Sequence, residues 1–457
     1  MIRTAFAQLL LAIFCLSPAV AGQAPEPAPR NLTLVDAVRV ALEKNPTVQA
    51  VDVYAQAVHE GITEAKAARL PRVDFSEGFT RGNNPVYVFG GLLTERQFTA
   101  GDFGLNFLNT PPPLDIFRTQ FTAALPLYDA GQTGRRIKDA KLSAQGAGEN
   151  GQRTRQEVIF NVVKAYTDEL LARESARVGE AGVKSAQSDL HRAQSRQEEG
   201  QAVPSDLLSA QVHLAQAQED LLQAQNAAEL AHAALNVAMG LPEDSATTIE
   251  SGLKESNFEA GTLAERQQHA LKSRPDLREA DLGLERAANG QRTARAEFLP
   301  KVNVFSSWEE DNQTFLTRGG NNWTAGVSLN INVFDGGANR ARLAAARYRQ
   351  SQTQAQVAQM AASVKLQVRE AYLNLTTAQQ RVEVSRQAQS EAEESLRIVQ
   401  NRYEAGLATI TDLLQVETAH TSAQKNYLNA LFDYRLGYAA LELATGELAP
   451  DSPAVTN

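Results

Sequence analysis

Two hydrophobic periods alternate along the chain. Between 205 and 239 apolar positions recur every seven residues: Leu207, Leu214, Leu221, Ala228 and Leu235 form one column, and Ala210, Ala217, Ala224, Ala231 and Ala238 a second. That spacing predicts a helix whose seam packs on another helix, and the small column lets the two approach closely. Elsewhere the period falls to two. Trp323, Ala325, Val327, Leu329, Ile331 and Val333 alternate with small polar residues, which predicts a strand over 323–333 with one apolar and one polar face. Phe117, Phe121, Ala123, Leu125 and Leu127 predict a second strand, and Val73-Phe75 and Val302-Val304-Trp308 predict shorter partners. A tilted strand of about 9 to 11 residues with this alternation can cross a bilayer. Locally, a soluble one-sided sheet and an ordinary coiled-coil rod carry the same patterns, so both stay open at this level.

The two periods recur in the same order twice. A gapless shift of 206 residues aligns 121–240 with 327–446, with about a quarter of the positions identical. Tyr128-Asp129-Ala130-Gly131 falls on Phe334-Asp335-Gly336-Gly337, and Asp206-Leu207-Leu208 falls on Asp412-Leu413-Leu414. A shift of 229 aligns 32–79 with 261–308 and pairs Pro46 with Pro275. The first copy therefore carries extra residues between 80 and 120. With Gly82-Asn83-Asn84-Pro85 and Pro111 to Pro113, that stretch reads as a long surface loop in which Tyr87, Phe89, Leu92 and Leu93 pack over an opening as a lid.

Lengths predict how the pieces join. The segments 132–199 and 338–405 are each long enough for a helix of roughly 100 Å, whereas 35–68 and 205–239 are about half that. Two short helices stacked end to end would match one long one. The linker 241–261 then lies at mid-height, in an equatorial band of irregular structure. Domain organisation follows as 1–21, a leader; 22–240, a first structural repeat with a hairpin tip near 200; and 241–457, a second repeat with a tip near 406.

The leader is read from Arg3, the apolar run Leu9 to Leu16, and Pro18 before Ala19-Val20-Ala21, which together resemble a secretory signal. No later stretch has the 18 or more apolar residues of a membrane-spanning helix. With 44 basic against 53 acidic side chains and a net charge of −9, the chain has no electrostatic attraction for nucleic acid. Its single cysteine, Cys15, allows neither an intrachain disulfide nor a cysteine metal site. The six histidines, His59, His191, His213, His232, His269 and His420, lack metal-ligand spacing, so no cofactor or metal is expected. Glu309-Glu310 and Glu198-Glu199 are the best acidic pairs for catalysis and read more simply as solvated charges, so the chain is not expected to be an enzyme. Four strands per chain leave open edges that hydrocarbon does not tolerate, so sister copies must close the wall.

The duplicated strand-to-helix corner and the duplicated tips resemble the TolC-type outer-membrane efflux proteins of Gram-negative bacteria. The tips read Arg196 to Gly200 with Asp206-Leu207-Leu208, and Arg402-Tyr403-Glu404-Ala405-Gly406-Leu407-Ala408-Thr409 with Asp412-Leu413-Leu414. The resemblance implies a mixed α and β membrane protein with two internal structural repeats. Its long antiparallel α-helical barrel would extend through the periplasm, below a transmembrane β-barrel to which each subunit gives four strands. It also implies a homotrimer in outer-membrane lipid, a passive exit duct for efflux or type I secretion, opened at its periplasmic tip by a periplasmic adaptor protein and an inner-membrane transporter. A periplasmic coiled-coil adaptor or scaffold is the alternative from another class.

Candidate site residues follow from that resemblance. Asp206 and Asp412 match an aspartate lining the closed entrance, where threefold symmetry makes Asp412 a carboxylate ring that gathers cations; Gln415 stands where a second aspartate can occur. A plainer reading gives both aspartates only the role of starting their helices beside Ser205 and Thr411. Tyr403 matches a tip tyrosine whose hydroxyl holds the entrance shut, and Arg402 is its companion toward carboxylates of the neighbouring coil. Gln197 occupies the place of Tyr403 in the first copy. Gly200 and Gly406 allow the tight turns. With Arg196, Leu407, Ala408 and Thr409, they form the expected adaptor contact.

Overall fold

A computed structural model describes residues 32–456 apart from Ser251, Lys254, Ser256, Leu316 and Arg318; the leader expected at 1–21 lies outside the described residues. Thr33 opens the fold with a capping box: its hydroxyl accepts from the Asp36 amide at 3.2 Å, and Asp36 accepts from the Thr33 amide. Helix α1 (Leu34–Lys44) stops at Asn45 because Pro46 has no N–H to continue the ladder. Helix α2 (Pro46–Ala67) restarts there and leads to β1 (Arg72–Gly82). An insert of α3 (Pro85–Thr94), a 3₁₀ turn (Ala100–Phe103) and α4 (Leu105–Asn109) precedes β2 (Leu114–Tyr128). A helical hairpin follows, α5 (Gln132–Glu198) and α6 (Pro204–Ala238).

The second half runs α7 (Leu263–Ser273), α8 (Pro275–Ala296), β3 (Lys301–Asn312), β4 (Gly320–Asn330), α9 (Ala338–Glu404) and α10 (Ile410–Thr445). A short α11 (Pro453–Thr456) closes it. Both long helices, α5 and α9, contain 67 residues. Among the described residues no helix is long and apolar enough to cross a membrane.

The long helices are the frame. Toward the tips the lateral order is α9, α10, α5, α6, and toward the sheet it is α9, α8, α5, α2. Thus α6 and α2 share one flank of α5, while α10 and α8 fill the space between α5 and α9. At both joints a glycine ending the returning helix meets the residue before a proline. A Cβ on Gly240 would lie 2.6 Å from Asn45 Cα, and one on Gly446 would lie 3.0 Å from Arg274 Cα. Asn45 Nδ2 donates to the Ala238 carbonyl at 2.9 Å, and Arg274 Nη1 to the Ala444 carbonyl at 3.1 Å. The main core surrounds these joints, with Val162, Val368 and Leu441 fully buried, each contributing about 1.5–3 kcal/mol. The irregular segment packs here too: Leu32 bridges Ile249, and Phe258 stacks on Tyr438 at 4.1 Å between ring centroids.

The strands form one antiparallel sheet in the order β1-β2-β3-β4. Its register sorts side chains by face. Phe75, Phe121, Trp308 and Trp323 stand in one cross-strand row, with Phe75 and Phe121 5.1 Å apart and Phe121 and Trp308 5.9 Å apart. Val73, Val304, Val327 and Leu329 share that face, which none of the described helices covers. The opposite face carries Gln120, Thr122, Ser307, Thr324 and the pair Arg118–Asp311 at 2.7 Å.

Three expectations are corrected. The segment 35–68 is two helices, and Arg274–Pro275 breaks its counterpart in the same way. The strand expected over 323–333 ends at Asn330, whose partner Lys301 is the first residue of β3; Ile331 and Val333 continue the alternation beyond the paired residues. The stretch 80–120 is not a surface loop. Asn84 Oδ1 accepts from the Val86 amide at 3.0 Å and starts α3, whose Val88 and Leu92 bury against Leu114 and Ile116 on the polar face of the sheet. The insert also reaches β4: Arg96 donates to the Asn321 carbonyl at 2.7 Å and Asn322 to the Thr94 carbonyl at 3.2 Å.

Candidate functional site

Two features define what the molecule can do: edges without partners and a pair of tips. Helices α6 and α9 lie at opposite flanks of the tip half, and each shows an apolar stripe to the outside. Leu208, Val212, Leu222, Leu230 and Val237 on α6 are all more than half exposed. They fall within about 80° of arc at 100° per residue. Tyr348, Leu366, Leu373, Val384 and Ile398 are exposed along both halves of α9 and fall within about 40° of arc. The sheet repeats the pattern, because β1 and β4 are its edge strands.

At the tips, α5 and α9 end in the same way. The Gly200 amide donates to the Gln197 carbonyl and the Gln201 amide to that of Arg196; Gly406 and Leu407 repeat this with Tyr403 and Arg402. Gly200 has φ +74° and Gly406 φ +75°, a left-handed conformation that glycine adopts without strain.

The side chains then diverge. Tyr403 is 4% exposed and packs with Ile410, Leu413, Leu396, Val399 and Ala408. Burial pushes its hydroxyl pKa up, against the pull of Arg196. The Arg196 guanidinium lies over the Tyr403 ring at 4.2 Å and donates to the carbonyls of Tyr403 at 2.5 Å and Glu404 at 3.1 Å, joining the two tips. Arg402 turns back onto its own tip and donates to the Leu407 carbonyl at 3.3 Å. Within this chain the residue linking the hairpins is Arg196 rather than Arg402. Leu407 is exposed at its own turn, and Gln197 is only partly covered.

The two aspartates also differ. Thr409 caps α10, its hydroxyl accepting from the Asp412 amide at 3.1 Å while Asp412 accepts from the Thr409 amide at 2.9 Å and hydroxyl at 2.7 Å. Those hydrogen bonds hold the Asp412 carboxyl below its usual range. The cap is Thr409 rather than Thr411, because the first helical residue is Ile410. At the first tip the N-cap is Val203, which makes no side-chain cap bond, so Ser205 is already inside the helix and Asp206 has no hydroxyl to accept from at that position. Asp412 and Gln415 both face solvent on α10.

Sequence reasoning passed over a buried cluster about two to four turns above the tips. Ser185 Oγ donates to Glu417 Oε1 at 2.7 Å, His213 Nε2 lies 3.4 Å from Glu417 Oε2, and Arg192 pairs with the fully buried Asp189. Its members come from three helices and share no local spacing; the available signal was a glutamate and an aspartate on otherwise small, apolar seams.

Comparison with known proteins places this geometry. The model of the family described as outer membrane efflux protein matches residues 37–241 and 267–447. The alkaline protease secretion protein AprF of Pseudomonas aeruginosa is 24% identical, over 91% of this chain and 85% of its own. Protein CyaE of Bordetella pertussis is 25% identical, over 94% and 88%. The CmeC outer membrane channel of Campylobacter jejuni has the same fold, with a TM-score of 0.78 at 15% identity, covering 95% of this chain and 92% of that one. Two-part coverage by the family model, spanning both hairpins and the sheet between them, means that this chain belongs to the outer membrane efflux protein family.

Proposed function

We propose that the chain is one subunit of a homotrimeric exit duct in the outer membrane, whose helical half extends through the periplasm to an entrance at the tips. The observation that carries this reading is the incomplete wall. An apolar stripe on each flanking helix, an open edge on each side of the sheet and a bare aromatic row together ask for sister copies and lipid. In the trimer, α6 of one subunit meets α9 of the next, and β4 meets β1, so three sheets of four strands close one barrel. The aromatic face meets lipid and the Arg118–Asp311 face lines the lumen. The paired joints and tips support two structural repeats, 22–240 and 241–457.

The duct works with a periplasmic adaptor, which contacts the turns at Gly200 and Gly406, and with an energised inner-membrane transporter. It performs no covalent chemistry. Three copies of solvated, readily ionised Asp412 form a carboxylate ring at the entrance. At the other end, the insert between β1 and β2 lies against the lumen face and narrows the outer mouth. A coiled-coil adaptor or scaffold would not need the one-sided aromatic sheet.

Fractionation and planar-bilayer recording test the proposal. A heat-modifiable trimer in the outer-membrane fraction that forms channels is expected; a detergent-independent monomer overturns it. Asp412→Ala is expected to weaken cation preference, and unchanged selectivity rejects the ring.

A further inference from the structure

Asp189 is completely buried between the hairpins, yet only one of its carboxylate oxygens has a donor. Arg192 holds Oδ1, and Oδ2 has no hydrogen-bond donor among the described residues. Glu417, 6% exposed, faces it from α10 within hydrogen-bonding reach. Its Oε1 accepts from Ser185, and its Oε2 has only the His213 ring, at 3.4 Å. Two facing buried carboxylates are both acceptors when ionised, so their contact lacks a donor unless one is protonated. A cavity of about 320 Å3 lined by Ser185, His213 and Glu417 adjoins the pair and gives protons a route to it.

We propose that Asp189, Glu417 and His213 form a proton-operated latch between α5 and α10 that holds the two hairpin tips together when protonated and releases α10 when the protons leave. The proposal rests on the reading of the tips as the entrance, and its first test does not require conduction.

The surrounding charges leave the latch as the titrating element. On α5, Arg192 also approaches Glu404 of α9 at 3.6 Å. On α6, Asp220 is paired with Lys425 of α10 at 3.6 Å, and Asp206 lies nearer the tip, within electrostatic reach of Tyr403 of α9. His420 of α10 lines the far side of the cavity. Burial and the facing Glu417 push Asp189 up to about 6, against Arg192. The Glu417 contact raises His213, against its burial. Burial opposes ionisation of Glu417, but hydrogen bonds from His213, Asp189 and Ser185 outweigh it and hold Glu417 low.

The signs agree for the first two groups. Asp189 and His213 each bind a proton more tightly in the closed junction, so their contribution is present in acid and is lost as pH rises through about 6 and then through a value above 6.5. Glu417 acts oppositely, losing its contribution only as pH falls below the ordinary glutamate range. The junction is therefore tight in mild acid and loose in mild alkali.

Spin labels on Gln194→Cys and Gln415→Cys in the detergent-solubilised protein report the separation of α5 and α10 near the tip. Between pH 5 and pH 8 the distance distribution is expected to broaden and lengthen. Asp189→Asn, which keeps a donor at every pH, is expected to hold the short distance throughout, and His213→Gln to move the transition to lower pH. An identical pH response in the parent and Asp189→Asn, or a distance unchanged from pH 5 to pH 8 in the parent, overturns the latch. In bilayers, the same pH step should raise resting conductance severalfold in the parent and not in Asp189→Asn. Channels absent at every pH count against the duct, whereas channels present with equal pH response in both proteins count against the latch alone.

Discussion

The two tips follow one backbone path and are held by different forces. Between Arg196 and Leu208 the turn is open: Gln197 is half-covered, and α6 begins at Pro204, after an N-cap, Val203, that makes no side-chain cap bond. Between Arg402 and Leu414 the same turn closes over Tyr403, and Thr409 with Asp412 caps α10. The shared path is set where glycine and backbone hydrogen bonds determine it, while side chains decide how firmly each tip is closed. The second tip is a small core of its own, and the first supplies the clamp, Arg196, that rests on it.

That contrast can be broken at its strongest point first. Tyr403→Ala should cost the second tip about 3–5 kcal/mol of local stability, as for other buried aromatic truncations, whereas Gln197→Ala should leave the first tip within about 0.5 kcal/mol. Hydrogen exchange across 396–415 and 190–209 measures both, and equal loss of protection would erase the distinction.

Arg196→Ser should come next. It removes the ring contact and two charge-assisted hydrogen bonds, about 1.5–3 kcal/mol, while Arg402→Ser should cost less than half as much. Resting conductance should rise in the first and barely change in the second. Thr409→Ala should cost about 1 kcal/mol as a lost cap. Conversely, Val203→Thr places a hydroxyl three residues before Asp206 on backbone angles close to those of Thr409, and should stabilise the first tip by about 0.5–1 kcal/mol.

The smallest expected effect is a pH response. Asp412 is held below its usual range, so its cap contributes above that range and is lost as pH falls through it. Protection around Ile410 should therefore fall as the pH drops below the ordinary aspartate range, without a matching change at Pro204.

Much of this was legible in the chain. Sevenfold and twofold periods locate the hairpins and strands because burial on one side repeats with the geometry of each element. The breaks at Pro46 and Pro275 were also written there, but a continuous helical pattern on either side masked them. Short helices in the 83–113 insert escaped because Asn84-Pro85, a good helix start, sits among residues that equally signal a turn. Thr409 and Asp412 have the spacing of a capping box, yet Thr411 competes for the same aspartate until the first helical residue is known. The Arg196 clamp and the Asp189–Glu417 contact join residues 200 or more positions apart, and no local pattern announces such a meeting.

The two joints where Gly240 meets Asn45 and Gly446 meets Arg274 give the molecule a fulcrum. Below them α10 is a lever of 36 residues, about 54 Å long at 1.5 Å per residue, so a swing of about 10° there carries its far end about 10 Å. Above them the strands need not shift at all. A force applied by partners at the inner end is spent on steering one arm of each subunit, and the wall embedded in lipid is spared the strain.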